Sequence, residues 1–187
     1  MFYSPSEFVK NCYSLILTKL FCRPARLIRR PVYIRGRKGL SFKEGFTTGY
    51  RCRIEVFGDE AIKLQIGKNC KIGDNVHMVA SGKVSIGDDC LFASNIFVSD
   101  TDHGGKNDLP TTPPDERELT ANPVEIGNSV WIGEGVAVLP GAKIGDGCII
   151  GAHAVVKGKI PAYSIAVGSP ARVVKKYNFE NKTWERV

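Results

Sequence analysis

The chain has no pair of cysteines at C-x-x-C spacing. Its six, Cys12, Cys22, Cys52, Cys70, Cys90 and Cys148, are scattered. That pattern argues against a zinc ribbon and against a disulfide framework. No apolar run is long enough to span a bilayer, and no cleavable leader opens the sequence. With free thiols, these absences lead to the expectation of a cytoplasmic protein. Acidic residues are nearly missing from the first 43 positions, where Glu7 stands against ten Lys and Arg. The remainder holds 16 basic and 18 acidic residues, so the net charge of +7 comes from the arm alone. The arm carries no nucleic-acid recognition motif, and no nucleic-acid partner is expected. Histidine is scarce. His77, His103 and His153 lie 26 and 50 positions apart, and no metal is expected.

What is present is a period of six. Aliphatic residues stand at Ile126, Ile132, Val138, Ile144, Ile150 and Val156, and four of them are followed by Gly. Four positions after the first five come Val130, Val136, Ala142, Cys148 and Ala154. A six-residue period fits neither an amphipathic helix nor a simple two-sided strand. It fits a solenoid in which each repeat makes one short strand and one corner of a prism. Two inward side chains per repeat fill the axis, and Gly or a polar residue takes the corner. The rhythm recurs at Ile66, Ile72 and Met78, then at Ile86, Phe92 and Val98, with Cys70, Val76, Cys90 and Ile96 in the second inward slot. Cys70, Cys90 and Cys148 therefore read as small buried hydrophobes. The step of eight from Met78 to Ile86 predicts a two-residue bulge at a corner. A weaker run through Ile34, Leu40, Phe46 and Cys52 sets the start of the coil near residue 34.

At 187 residues the chain is one domain of ordinary size. Residues 1–31 form a basic amphipathic helical arm, with Ser4 as N-cap and Pro5 at the first helical position. Pro24 ends or kinks that helix. Two readings of the arm stay open. It caps the first coil or packs on a neighbouring subunit, or it lies against anionic membrane through residues 4–30. Residues 32–176 form the solenoid, with a turn at Gly58-Asp59-Glu60. The rhythm fails between Val98 and Ile126, where residues 104–123 read as a polar excursion without regular structure. Long loops of that kind are often functional. Residues 177–187 form a polar C-terminal tail.

His77 and His153 fall at outward places in regular repeats and read as solvated surface histidines. His103 lies where the coil breaks, flanked by Asp100 and Asp102 and followed by Gly104-Gly105. Imidazole is suited to take a proton near neutral pH. The residues alone leave two readings of His103 level, a base or a loop histidine without a role.

The chain resembles the bacterial hexapeptide-repeat acetyltransferases over residues 60–176. It is most similar to galactoside and maltose O-acetyltransferases and to the sugar O-acetyltransferases of capsule and O-antigen synthesis. The motifs are Ile86-Gly87-Asp88-Asp89, Asp102-His103, Ile126-Gly127-Asn128-Ser129-Val130-Trp131-Ile132-Gly133, Pro140-Gly141, Ile144-Gly145-Asp146, Ile150-Gly151-Ala152 and Gly168-Ser169-Pro170-Ala171-Arg172. The resemblance implies an all-β fold, a left-handed parallel β-helix with an N-terminal helical arm and one long excursion loop. It implies direct transfer of an acetyl group from acetyl-CoA to a sugar hydroxyl, with His103 as general base and no covalent acetyl-enzyme. Trp131, Ala152, Lys157, Gly158, Arg172 and Lys175 match positions that contact the cofactor. Lys175 replaces an Arg of some relatives, which keeps the charge but loses the bidentate fork. The resemblance also implies a homotrimer with sites between subunits. The chain departs from the family in having Thr101-Asp102 before His103 rather than a second His, and in carrying a basic arm instead of sugar-binding helices.

Rival readings are an N-acetyltransferase of an amino sugar, an acetyltransferase of a small molecule such as serine or an antibiotic, a non-catalytic β-helix, and a γ-type carbonic anhydrase. The acceptor is expected to be a polysaccharide or its lipid-linked precursor. The protein is expected in the cytoplasm, or peripheral at the inner face of the membrane.

Overall fold

Each six-residue repeat builds one short strand, and the chain passes round three parallel sheets in fixed rotation. The computed structural model describes residues 4–58, 61–104 and 109–187. The first face carries Leu27–Ile28, Thr47–Thr48, Lys71–Ile72, Leu91–Phe92, Trp131–Ile132, Ile149–Ile150 and Ser164–Val167. The second runs from Val32–Arg35 through Cys52–Val56, His77–Ala80, Phe97–Ser99 and Ala137–Val138 to Val155–Val156. The third runs from Leu40–Phe42 through Leu64–Ile66, Val84–Ile86, Val124–Ile126 and Lys143–Ile144 to Lys159–Ile160. The result is a three-sided parallel β-helix, a prism whose strands stack about 4.8 Å apart.

The axis is filled as the period requires. Ile132, Val138 and Ile150, and the second-slot Val130, Val136, Ala142, Cys148 and Ala154, are all buried. Cys70 and Cys90 occupy the same slot and are buried free thiols. The residue before each second-slot position turns the corner in the left-handed region, as at Asn75, Asn95 and Gly135. The Gly after an inward aliphatic is needed for a different reason, close stacking of coils. A Cβ on Gly133 would lie 2.8 Å from the Ala152 nitrogen and the Ile150 oxygen of the next coil.

Side-chain ladders tie two of the three corners. Between the third and first faces, Asp88 N donates to Asn128 Oδ1 (2.9 Å), and Asn128 N to Asp146 Oδ1 (2.6 Å). Between the first and second, Tyr50 N donates to Asp74 Oδ1 (2.7 Å), Asp74 N to Ser94 Oγ (3.0 Å) and Ser94 N to Glu134 Oε2 (2.8 Å). The excursion leaves at the remaining corner, between the second and third faces.

Three sequence expectations need correction. The coil begins at Leu27, not near residue 34. The buried Ile28 stands six before Ile34, but Arg29-Arg30-Pro31 hides the repeat. The excursion is not wholly irregular, because Thr101–His103 pairs antiparallel with Leu119–Ala121. The polar tail expected at residues 177–187 is instead part of a hairpin. Arg172–Asn178 adds antiparallel to Ser164–Val167 and pairs with Thr183–Arg186, with Tyr177, Phe179 and Trp184 in edge-on contact. This hairpin covers the last strand edge of the first face, which would otherwise be left unpaired. The turn at Gly58-Asp59-Glu60 and the stretch from Gly105 to Asp108 fall partly or wholly outside the described residues.

The opposite end is closed by the helix Pro5–Phe21. It starts in a capping box, with Glu7 N donating to Ser4 Oγ and Ser4 N to Glu7 Oε2. The helix ends at Phe21, before Pro24. It meets the first coil through polar residues. Ile28 N donates to Thr18 Oγ1 (2.9 Å), Arg30 N to Ser14 Oγ (3.2 Å) and Arg29 Nε to Asn11 Oδ1 (3.1 Å). Leu27 N, by contrast, bonds upward to Phe46 O. The N–H groups of Ile28 and Arg30 thus point to where a preceding coil would be, and the helix supplies the missing acceptors. Thr18→Val leaves the Ile28 N–H buried without a partner, a cost of about 1–3 kcal/mol. Its melting temperature should fall by several degrees, while the exposed Leu20→Ser stays close to the parent. Equal melting curves for all three proteins would show that the helix does not close this edge.

Candidate active site

His103 ends the strand that leaves the second-to-third corner, and its side chain is exposed. The corner beneath it is rigid for a reason in the sequence. Asp100 is completely buried, and its carboxylate accepts from Ser81 N (2.9 Å), Gly82 N (2.8 Å) and Thr101 Oγ1 (2.8 Å). Ser81 and Thr101 are joined through their hydroxyls. The bulge foreseen between Met78 and Ile86 is therefore the turn into which Asp100 inserts. Asp100 is spent on this clamp and does not orient His103. Asp102 is also exposed, and neighbouring residues of a strand point to opposite faces. Among the described residues the His103 imidazole has no hydrogen-bond partner.

Among the described residues no activated nucleophile lies beside it. Ser99 is buried, accepting from Thr101 N (3.0 Å) and donating to Thr101 O (3.1 Å). The Cys52 thiol is pushed up to about 11 by burial, and burial also raises Cys148. Neither supplies a thiolate near neutrality.

Lys157 and Gly158 occupy the same second-to-third corner as His103, two coils further along the axis. By strand spacing that is about 10 Å. Lys157 is exposed, and Gly158 turns at φ +84° with open space where a Cβ would be. Trp131 lies elsewhere. It projects half-exposed from the first face, in a row with Leu91 and Ile149. Ala152 is exposed at the first-to-second corner, and Arg172 and Lys175 lie on the terminal hairpin of the first face. Neither cation has a carboxylate partner among the described residues. In a three-sided prism the second-to-third corner is opposite the first face, so the strands that carry His103 and Trp131 arise on opposite sides. A groove of about 1020 Å³ runs along the third face past Lys83, Ser85, Glu125 and Lys143, and none of the predicted site residues lines it.

The second face holds a cluster that the sequence did not disclose. Glu55 is buried although it points outward; Arg53 Nε donates to its Oε2 (2.6 Å), and His77 Nε2 lies 3.1 Å from the same oxygen. The His77 ring packs against Phe97, with centroids 5.4 Å apart. His77 is therefore a partnered, partly buried histidine rather than a solvated one. Arg53 stands two positions before Glu55 on one strand, and His77 joins them only through the register that sets it beside Arg53.

Residues 123–158 match the family signature described as "Bacterial transferase hexapeptide (six repeats)". The chain is 40% identical to WbbJ of Escherichia coli (strain K12), named as an O-acetyl transferase of lipopolysaccharide biosynthesis, across 98% of this chain and 95% of WbbJ. It belongs to the bacterial hexapeptide-repeat transferases. The prism is accordingly the left-handed β-helix of that family, and the protein is an acetyl-CoA acetyltransferase. Galactoside O-acetyltransferase of E. coli (strain K12) is 36% identical over 75% of this chain and 68% of its own length. The structure of a galactoside acetyltransferase in complex with coenzyme A superposes with a TM-score of 0.57 at 27% identity, covering 96% of this chain and 76% of that one. AntD, an N-acyltransferase from Bacillus cereus, shares the fold with a TM-score of 0.61 at 23% identity, over 96% of this chain and 92% of AntD.

The Glu55 cluster gives a signed pH dependence. Arg53, then His77, hold the Glu55 carboxyl below the usual carboxylate range against the opposing effect of burial. A carboxyl lowered in the folded state stabilises the fold above its unfolded value, about 4.3, and loses that contribution as pH falls through the folded value. Glu55→Gln should therefore lower the melting temperature at pH 7, with the deficit against the parent shrinking below about pH 4. A deficit independent of pH would contradict this assignment.

Proposed function

We propose that this transferase moves an acetyl group from acetyl-CoA to a sugar hydroxyl of a glycan or its lipid-linked precursor, with His103 as general base. The observation that carries the reading is the placement of His103. It is an exposed imidazole on a clamped corner, with Lys157 and Gly158 further along that corner and, among the described residues, neither a hydrogen-bond partner nor an activated nucleophile beside it. His103 takes the acceptor hydroxyl proton as that oxygen bonds to the thioester carbonyl carbon. The carbon–sulfur bond then breaks, and the proton passes from His103 to the leaving thiolate. The similarity to galactoside O-acetyltransferase, and to WbbJ, which is named for O-acetyl transfer in lipopolysaccharide biosynthesis, supports a sugar hydroxyl as acceptor.

The acetyl donor fits the residues present. Trp131, Leu91 and Ile149 offer an apolar strip for an extended thiol arm, Ala152 and Gly158 leave room for close approach, and Arg172 and Lys175 suit phosphates. Because His103 and Trp131 lie on opposite sides of one prism, the working site is built from two copies. We assign a homotrimer in which the excursion of one subunit, residues 104–123, reaches the first face of the next. The exposed apolar rows of the first two faces support this, Leu91 and Trp131 on one and Tyr33 and Phe97 on the other. Light scattering should give the trimer mass, and a monomer at micromolar concentration would overturn the shared site.

His103→Ala should leave folding and coenzyme A binding intact while lowering turnover about a hundredfold or more, the usual scale for a lost general base. The measurement is transfer of labelled acetyl from acetyl-CoA to a panel of sugars and amines. Retained activity would exclude His103 as base, and transfer only to amines would exclude the hydroxyl acceptor.

Arg172→Ala should raise KM for acetyl-CoA roughly ten- to hundredfold with kcat nearly unchanged, since a phosphate contact is equal in ground and transition states. An unchanged KM with only a lower melting temperature would reduce Arg172 to a structural role.

A further inference from the structure

The helix Pro5–Phe21 is amphipathic in the reverse sense to an ordinary packed helix. Its buried residues are Ser14 and Thr18, with Asn11 beside them, and these polar groups face the first coil. Phe8, Val9, Tyr13, Ile16, Leu20 and Phe21 are each 60–70% exposed. At 100° per residue, Val9, Cys12, Tyr13, Ile16 and Leu20 form one continuous strip opposite Ser14 and Thr18. Capping therefore uses only one side of the helix, and the two sequence readings of the arm are not exclusive. The capping bonds place the helix beneath the first coil, at the end of the prism, so its apolar strip faces away from the barrel.

The charge around this strip identifies its partner. Lys10, Lys19, Arg23 and Arg26 are exposed on or just after the helix. Across residues 4–43 Glu7 is the one acid against ten Lys and Arg, and its carboxylate is held by Ser4 N. A second copy meeting this end through the same strip would bring two strongly basic surfaces together. An anionic bilayer satisfies both features at once, apolar side chains entering the headgroup boundary and cations meeting lipid phosphates. Among the described residues no helix is long and apolar enough to cross a membrane, so contact through this helix is interfacial. We infer that the exposed face of the N-terminal helix docks the enzyme on anionic lipid, end-on to the prism. This inference stands apart from the acceptor and from the role of His103.

The test is co-sedimentation of the full chain with vesicles of phosphatidylcholine alone, or mixed with phosphatidylglycerol. The parent should bind the mixed vesicles, bind the zwitterionic ones at least about tenfold more weakly, and be released by salt. Ile16→Ser with Leu20→Ser should lose at least about tenfold in binding, as two apolar side chains leave the boundary. Lys19→Gln with Arg26→Gln should weaken anionic binding by about tenfold and flatten the salt dependence. Both variants should melt like the parent and keep its mass by light scattering, because the altered residues are exposed. Failure of the parent to bind anionic vesicles, or equal binding by the serine variant, would overturn the inference. A drop in oligomer mass for the serine variant without lipid would also overturn it, assigning the strip to another copy of the chain.

Discussion

Everything in this molecule depends on coils stacking in register at the spacing of adjacent β-strands. Each strand of the coils has only two to five residues and could not persist alone. It persists because the N–H and C=O groups of every coil are answered by the coils on either side. The cross-section must therefore stay nearly constant, which requires apolar side chains in the inward slots, mostly Val, Ile, Ala or Cys with Met78 and Phe92 among them, and a chain tight enough at Gly133 to clear Ala152. Side-chain ladders through Asp88, Asn128 and Asp146, and through Asp74, Ser94 and Glu134, hold the same register at two corners.

That constraint dictates where chemistry can be. Inward positions are consumed by packing, so function falls to outward rows, corners and ends. The insertion leaves at the corner after Phe97–Ser99, and the buried Asp100 anchors the departing ribbon to the coil before it. The anchoring carboxylate and the exposed imidazole three residues later divide the work. Asp100 holds the root, and the His103 side chain is left exposed.

The two ends of the prism solve one problem by different means. At the C-terminal end a hairpin extends the first sheet and carries Arg172 and Lys175. At the N-terminal end hydroxyls on a helix accept the N–H groups of the first coil. This second solution turns the polar side of the helix inward and leaves its apolar side outside, which is the reverse of core packing and the origin of the basic, apolar end surface.

The sequence by itself determined the coil, because inward residues recur at a local period of six and each repeat reports its own burial. It also singled out His103, by the failure of that period, and through family motifs it pointed to acetyl transfer. Tertiary structure alone decided the outward relations. Glu55 meets His77 across 22 positions, Asp100 reaches back to Ser81 across 19, and Thr18 answers Ile28 across a cis-proline turn. Those pairings depend on which coil lies next to which, and the eight-residue step and the hidden first repeat displaced that register in the sequence. The separation of His103 from Trp131 was invisible for the same reason. A period says that a residue points outward, but only the closed prism says to which side.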